Sequence, residues 1–164
     1  MPALRQITVS AATAVLCMLL GAAVYESVVM APNYAHGLAS LEHARGFLVV
    51  STPAMFFRFL SPAAQLLLVL SVVFSWRTCP RRATWLLVAA LGTAVATDVV
   101  TFTFHYPRNE ILFLAPLDRP SMELQRIAQE WAWGNYLRIL LLATSVVAAF
   151  AAQAGRHTAR GAMP

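Results

Sequence analysis

The sequence predicts an all-α fold: a four-helix transmembrane bundle, up-down-up-down, with both termini on the cytoplasmic side. Three observations predict it. The 164-residue chain is 59% hydrophobic and only 12% charged, where soluble domains carry about 25% charged residues. Its mean hydropathy is +0.65, and four apolar stretches are each long enough to cross a bilayer as a helix. The charges also separate along the chain. Arg5, Arg77, Arg81, Arg82, Arg156 and Arg160 have no acid among them, whereas all seven carboxylates fall in the other half of the alternating pattern. The positive-inside rule then places the termini and the 77–82 loop in the cytoplasm and both long loops outside.

Taken in order, the first span covers 7–30. Its apolar run is too long for the core of a signal peptide, which favours a retained helix. Ala31-Pro32-Asn33 is expected to end it, and 34–52 reads as a loop. The second span covers 53–76, with Ser51 and Thr52 able to cap it and Pro53 suited to its first turn. Pro62 lies inside and should kink it. The short 77–82 loop makes the second and third spans antiparallel neighbours. The third span covers 84–104, and the proline-containing stretch from His105 to Gln125 reads as irregular. The fourth helix is expected over 124–153, its membrane part over 127–152, and 154–164 reads as a flexible tail. All of this makes one integral membrane domain, 1–164.

Four charged residues, one from each span, stand out: Glu26, Arg58, Asp98 and Arg138. At about 1.5 Å of rise per residue, all four fall at a similar outward depth. An isolated charge in hydrocarbon costs at least about 2.5–3.5 kcal/mol, so mutual pairing inside the bundle is expected, with Asp98–Arg138 and Glu26–Arg58 as first choices. Trp131, Asn135 and Arg138 share one helical face at i, i+4 and i+7. Asp98, Thr101 and His105 are spaced i, i+3 and i+7, which stacks His105 above Asp98 as a proton carrier. Tyr25 stands beside Glu26. The expected site is an outward pocket walled by Trp and Tyr and floored by paired charges. The bland alternative is that buried ion pairs set helix register and that span-end aromatics are interfacial anchors.

Other classes are disfavoured. The arginines are scattered, with no basic patch of the kind that binds nucleic acid. Cys17 and Cys79 are not paired as thiol-oxidising membrane enzymes require. His36, His43 and Glu42 with His105 lack metal-ligand spacing, so no metal is expected. No phosphate loop or nucleotide motif is present.

Three short motifs then stand out: Gly21-x3-Tyr25…Pro32, Pro107-x-Asn109-x2-Leu112, and Trp131-x3-Asn135-x2-Arg138. In this order, and with this four-span topology, the chain resembles the anthrone oxygenase-like family of small four-helix membrane proteins. The resemblance implies oxidation of a flat, lipophilic anthrone to a quinone by molecular oxygen, with no metal or flavin cofactor. It also implies site roles for Asn109, Trp131, Asn135 and Arg138. Under that reading, His105 or Asp98 is the base, Arg138 and Asn135 steady the enolate, and Trp131 stacks on the ring. Tyr25, Glu26 and Arg58 complete the substrate-binding set. The expected partners are a lipophilic small molecule and membrane lipid. The alanine-rich, lysine-free composition points to a high-GC bacterium and hence its inner membrane. Two other readings stay open: a non-catalytic four-helix protein that binds a lipid or a partner helix, and a small carrier or channel subunit.

Overall fold

The computed structural model describes residues 2–50 and 52–154, and all regular structure among them is helical. Helix α1 (Pro2–Tyr25) continues through a π-helical turn, Glu26–Met30, into the short α2 (Ala31–Tyr34). Gly37, at φ 116°, takes a backbone conformation that side-chain-bearing residues rarely adopt, and it turns the chain into α3 (Leu38–Phe47). Next come α4 (Pro53–Ser75) and α5 (Arg81–Val100). The latter runs on through a π-helical turn, Thr101–His105, then α6 (Tyr106–Asn109) and a further π-helical turn, Glu110–Leu114. The last helix is α7 (Ser121–Ala154). Four continuous helical stretches are long and apolar enough to cross a membrane: Ala3–Tyr34, Pro53–Ser75, Arg81–Leu114 and Ser121–Ala154. Ser51 and most of the 154–164 tail lie outside the described residues.

Two expected helix ends are not ends. Ala31-Pro32-Asn33 does not stop the first span, and the stretch after Phe104 stays helical for another ten residues. In both places a proline sits at the start of a short α-segment directly behind a π-helical turn. Proline cannot donate in the α-helical ladder, and its ring crowds the carbonyl four residues back. The wider π turn absorbs the lost bond without ending the helix. The 34–52 connection, read as a loop, holds the ten residues of α3. Pro53 does open α4, with Thr52 just before it, but the Thr52 side chain makes no capping bond.

The helices form a four-membered ring in which α1 and α5 each pack against both α4 and α7. Side-chain bonds show that neighbours alternate in direction. Gln153 donates to Thr13 at 2.7 Å and Asn135 to the Ala23 carbonyl at 3.1 Å, so α7 descends as α1 rises. Ser145 donates to the Ala90 carbonyl at 2.7 Å, linking α7 to α5. Each helix contributes one buried stripe at helical spacing. In α1 it is Val9, Ala12, Leu16, Leu19 and Ala23; in α7 it runs from Leu124 to Ala152 through Trp131, Asn135, Arg138 and Leu142. Alanine and serine dominate the inner contacts, which lets backbones approach closely where lipid removes any hydrophobic drive between helices.

We call the end holding Arg5 and Ser75 proximal, and the end holding α2, α3 and α6 distal. Arg5, read from sequence as a topology signal, is buried at 2% exposure and donates from Nε to Ser75 Oγ at 2.5 Å. Its Nη1 is buried too and has no hydrogen-bond partner among the described residues.

Candidate functional site

Arg138 is the centre of the distal half. The α7 stripe carries it inward, and it is 4% exposed. Its Nη1 donates to Asn135 Oδ1 at 3.0 Å and to Glu26 Oε2 at 3.5 Å, and its guanidinium lies 4.6 Å from the centre of the Phe57 ring. Nε has no partner among the described residues. Asn135, fully buried, donates its amide to Ser27 Oγ at 2.7 Å as well as to Ala23. The shared face of Trp131, Asn135 and Arg138 is therefore turned into the bundle.

The pairing within the charged layer differs from the expected one. Glu26, not Asp98, is the carboxylate in contact with Arg138. Asp98 is instead held by α4: Ser61 donates to Oδ1 at 2.7 Å and Gln65 to Oδ2 at 2.6 Å. Arg58 is exposed and forms no ion pair with a described residue, so the Glu26–Arg58 pair is absent. Even so, Arg58, Asp98, Thr101 and Arg138 line one small cleft of about 60 Å³ between α4 and α5.

His105 does not stack on Asp98. The π turn Thr101–His105 rotates less per residue than an α-helix, so the i, i+7 spacing no longer keeps one face. Asp98 looks toward α4, while His105 is buried at 1% exposure against α7. Its ring meets Trp131 edge-on at 5.0 Å and Phe104 at 5.4 Å. Among the described residues neither ring nitrogen has a hydrogen-bond partner. Gly134 is bare because the Phe104 ring occupies the space a Cβ would need.

A second, larger cavity of about 420 Å³ lies above the charged layer. Glu26, Tyr34, Arg45, Asn109, Phe113 and Trp131 supply its polar and aromatic wall. Trp131 donates from Nε1 to Asn109 Oδ1 at 2.6 Å, which leaves the Asn109 amide N–H groups available to a ligand. Tyr34 meets Trp131 edge-on at 5.5 Å and Phe113 at 5.3 Å. Arg45, from α3, donates to the carbonyls of Leu112 (2.6 Å), Ala115 (2.8 Å) and Ile111 (3.1 Å). A cation on terminal carbonyls is a favourable helix C-cap. Partial burial lowers the Arg45 pKa from its ordinary value, which Glu42 opposes, and the group stays charged.

Tyr25 is 57% exposed on the outside of α1 and lines neither space. His36 bonds to the Pro32 carbonyl at 2.6 Å, and among the described residues no group of three His, Cys, Asp or Glu side chains is placed to hold a metal. The reading from sequence missed Ser27, Tyr34, Arg45, Ser61 and Gln65. A signal existed for two of them: Arg58, Ser61 and Gln65 are spaced i, i+3 and i+7, a polar stripe in an otherwise apolar span.

Fold and site together define a small four-span membrane protein whose distal half encloses a carboxylate, an amide and aromatic rings around a cavity of substrate size. The chain belongs to the anthrone oxygenase family, whose model matches residues 53–160. That match leaves out α1 with Glu26 and Ser27. No curated protein and no solved structure matches the chain.

Proposed function

We propose that the protein is a membrane-embedded oxygenase acting on a flat, lipophilic, anthrone-like molecule, with Glu26 as the base. The observation that carries this reading is the placement of the Glu26 carboxylate in the wall of a 420 Å³ cavity that also presents Trp131 and Asn109. That volume lies within the range of small-molecule sites, about 300–1,000 Å³. His105 is sequestered behind Trp131, and both Asp98 oxygens are engaged in a different cleft. Glu26 is thus better placed than either to meet a ligand in the cavity.

The chemistry needs no further oxidant than oxygen itself. Glu26 takes a proton from the anthrone methylene, and the C–H electron pair spreads onto the ring oxygen as an enolate. Protonation of Glu26 leaves Arg138 without its counter-charge, so the substrate anion becomes its partner through a dry interior where such attraction is strong. The Asn109 amide donates to the enolate oxygen. The carbanion is oxidised by O2, a C–O bond forms, and the hydroperoxide loses water to leave a second carbonyl. The balance is CH2 + O2 → C=O + H2O, with no cofactor called for. The cavity opens at the outward side of a bacterial inner membrane if arginine placement sets the orientation.

The test is quinone formation and oxygen uptake by purified protein supplied with an anthrone. Glu26→Gln is expected to lower turnover at least about a hundredfold at equal folded yield, the scale of a lost general base. His105→Gln is expected to retain turnover. Equal rates for wild type and Glu26→Gln would overturn the assignment of the base. No turnover by wild-type protein would remove the oxygenase reading.

A further inference from the structure

We propose that the seam between α4 and the α5–α6 stretch is a lateral portal, through which lipid-dissolved molecules enter the distal cavity from the bilayer rather than from water. The inference uses the cavity itself and rests on the oxygenase reading only for what passes through it. Among the residues lining the cavity, Val49, Thr52 and Ala54 are exposed where the chain enters α4, and Leu114 is 80% exposed at the end of the third span; we take these as the two lips of its mouth. Val50 beside the first lip is 93% exposed, and Phe47 is 76% exposed.

Phe47, Val49, Val50 and Leu114, all large apolar side chains, would be an unusual liability if left open to water. They are continuous, however, with the outer surface of α4, where Met55 and Phe59 are more than half exposed and a membrane span begins. Lipid covers that surface. An apolar edge adjoining it, outside the span but within a few residues of it, settles at the headgroup–acyl boundary as interfacial segments do. Arg58, exposed on the same helix, lines the smaller cleft beside this surface.

The opposite lip is fixed by Arg45. Its three bonds to the carbonyls of Ile111, Leu112 and Ala115 tie α3 to the end of the third span. Both spaces take part of their lining from α4 (Ser61 in the cleft, Ala54 in the cavity) and part from the third span (Asp98 in the cleft, Asn109 and Leu114 in the cavity). A flat, apolar molecule resting in the outer half of the bilayer therefore meets Leu114 and Val49 before it meets any polar wall.

The experiment places a bimane label at Val50→Cys or Leu114→Cys, in full-length protein lacking Cys17 and Cys79 and reconstituted in phosphatidylcholine vesicles. Quenching by nitroxide-labelled lipid, with little quenching by aqueous iodide, is the expected result. The reverse pattern at both sites would overturn the portal, and this readout stands whether or not the protein turns over an anthrone. A second arm compares Leu114→Arg with Met122→Arg, which alters an exposed residue at the start of α7. Leu114→Arg is expected to raise KM several-fold for a membrane-partitioned anthrone, and Met122→Arg to leave it near the wild-type value. Equal KM values for the two variants would count against entry at this lip.

Discussion

The proximal half of the bundle is closed by alanine, serine and leucine, the distal half by aromatic rings, π-helical turns and charge. Proximally, Ala12, Leu16, Leu68, Leu87, Ala90 and Ala149 are essentially inaccessible, and the helices between them keep one regular period. Distally, the chain departs from that period in three places, and two cavities open among buried polar groups. Regular packing of small residues leaves no room for a ligand. Irregular turns and large rings that meet edge to edge do, and π-helical turns recur at functional sites for that reason. In this protein the proximal half holds the helices together, and the distal half encloses both cavities.

The comparison can be broken most severely at Arg138. Arg138→Ala leaves Glu26 buried without its cation and should destabilise by about 3–5 kcal/mol, read from unfolding by SDS in mixed micelles. Pairing it with Glu26→Gln should recover part of the stability and none of the turnover, since the base is gone.

The next largest effects come from a matched pair of overpacking changes. Gly134→Ala drives a methyl into the Phe104 ring, and Ala149→Leu overfills the alanine seam; each should cost about 1–3 kcal/mol. Turnover per folded molecule should fall for the first and hold for the second. If both changes lower turnover alike, the two halves are not functionally separate.

A smaller change sharpens the distal half. Trp131→Phe keeps the ring packing but removes the donor to Asn109, costing about 0.5–1.5 kcal/mol, with a larger fractional loss of activity than of stability. Arg119→Ala breaks an exposed i, i+4 pair with Glu123 and should shift stability by no more than about 0.5 kcal/mol.

The four spans and the inward face of Trp131, Asn135 and Arg138 were legible in the sequence because both rest on period alone. Hydropathy reports length, and i, i+4, i+7 spacing survives wherever the helix stays α-helical, as α7 does throughout. What period cannot convey is partner choice. Four charges at one depth allow several pairings, and the one formed depends on Ser61 and Gln65 occupying Asp98. His105 was misplaced for a related reason, since nothing in Thr101–His105 announces a π turn. Arg5 and Arg45 show the limit of charge counting: each sits near a span end, yet one is buried under Ser75 and the other caps a helix.

The three π-helical turns make the site depend on how many residues the chain has, apart from which ones. An α-helix advances by roughly 100° per residue. Removing one residue between Asp98 and Asn109, even the exposed Phe102, would return that stretch to the ordinary ladder and swing everything beyond it by about that angle. Asn109 would then point away from Trp131, although hydropathy would still count four spans. A single-residue deletion in this stretch would therefore exchange one binding geometry for another without altering the number of spans.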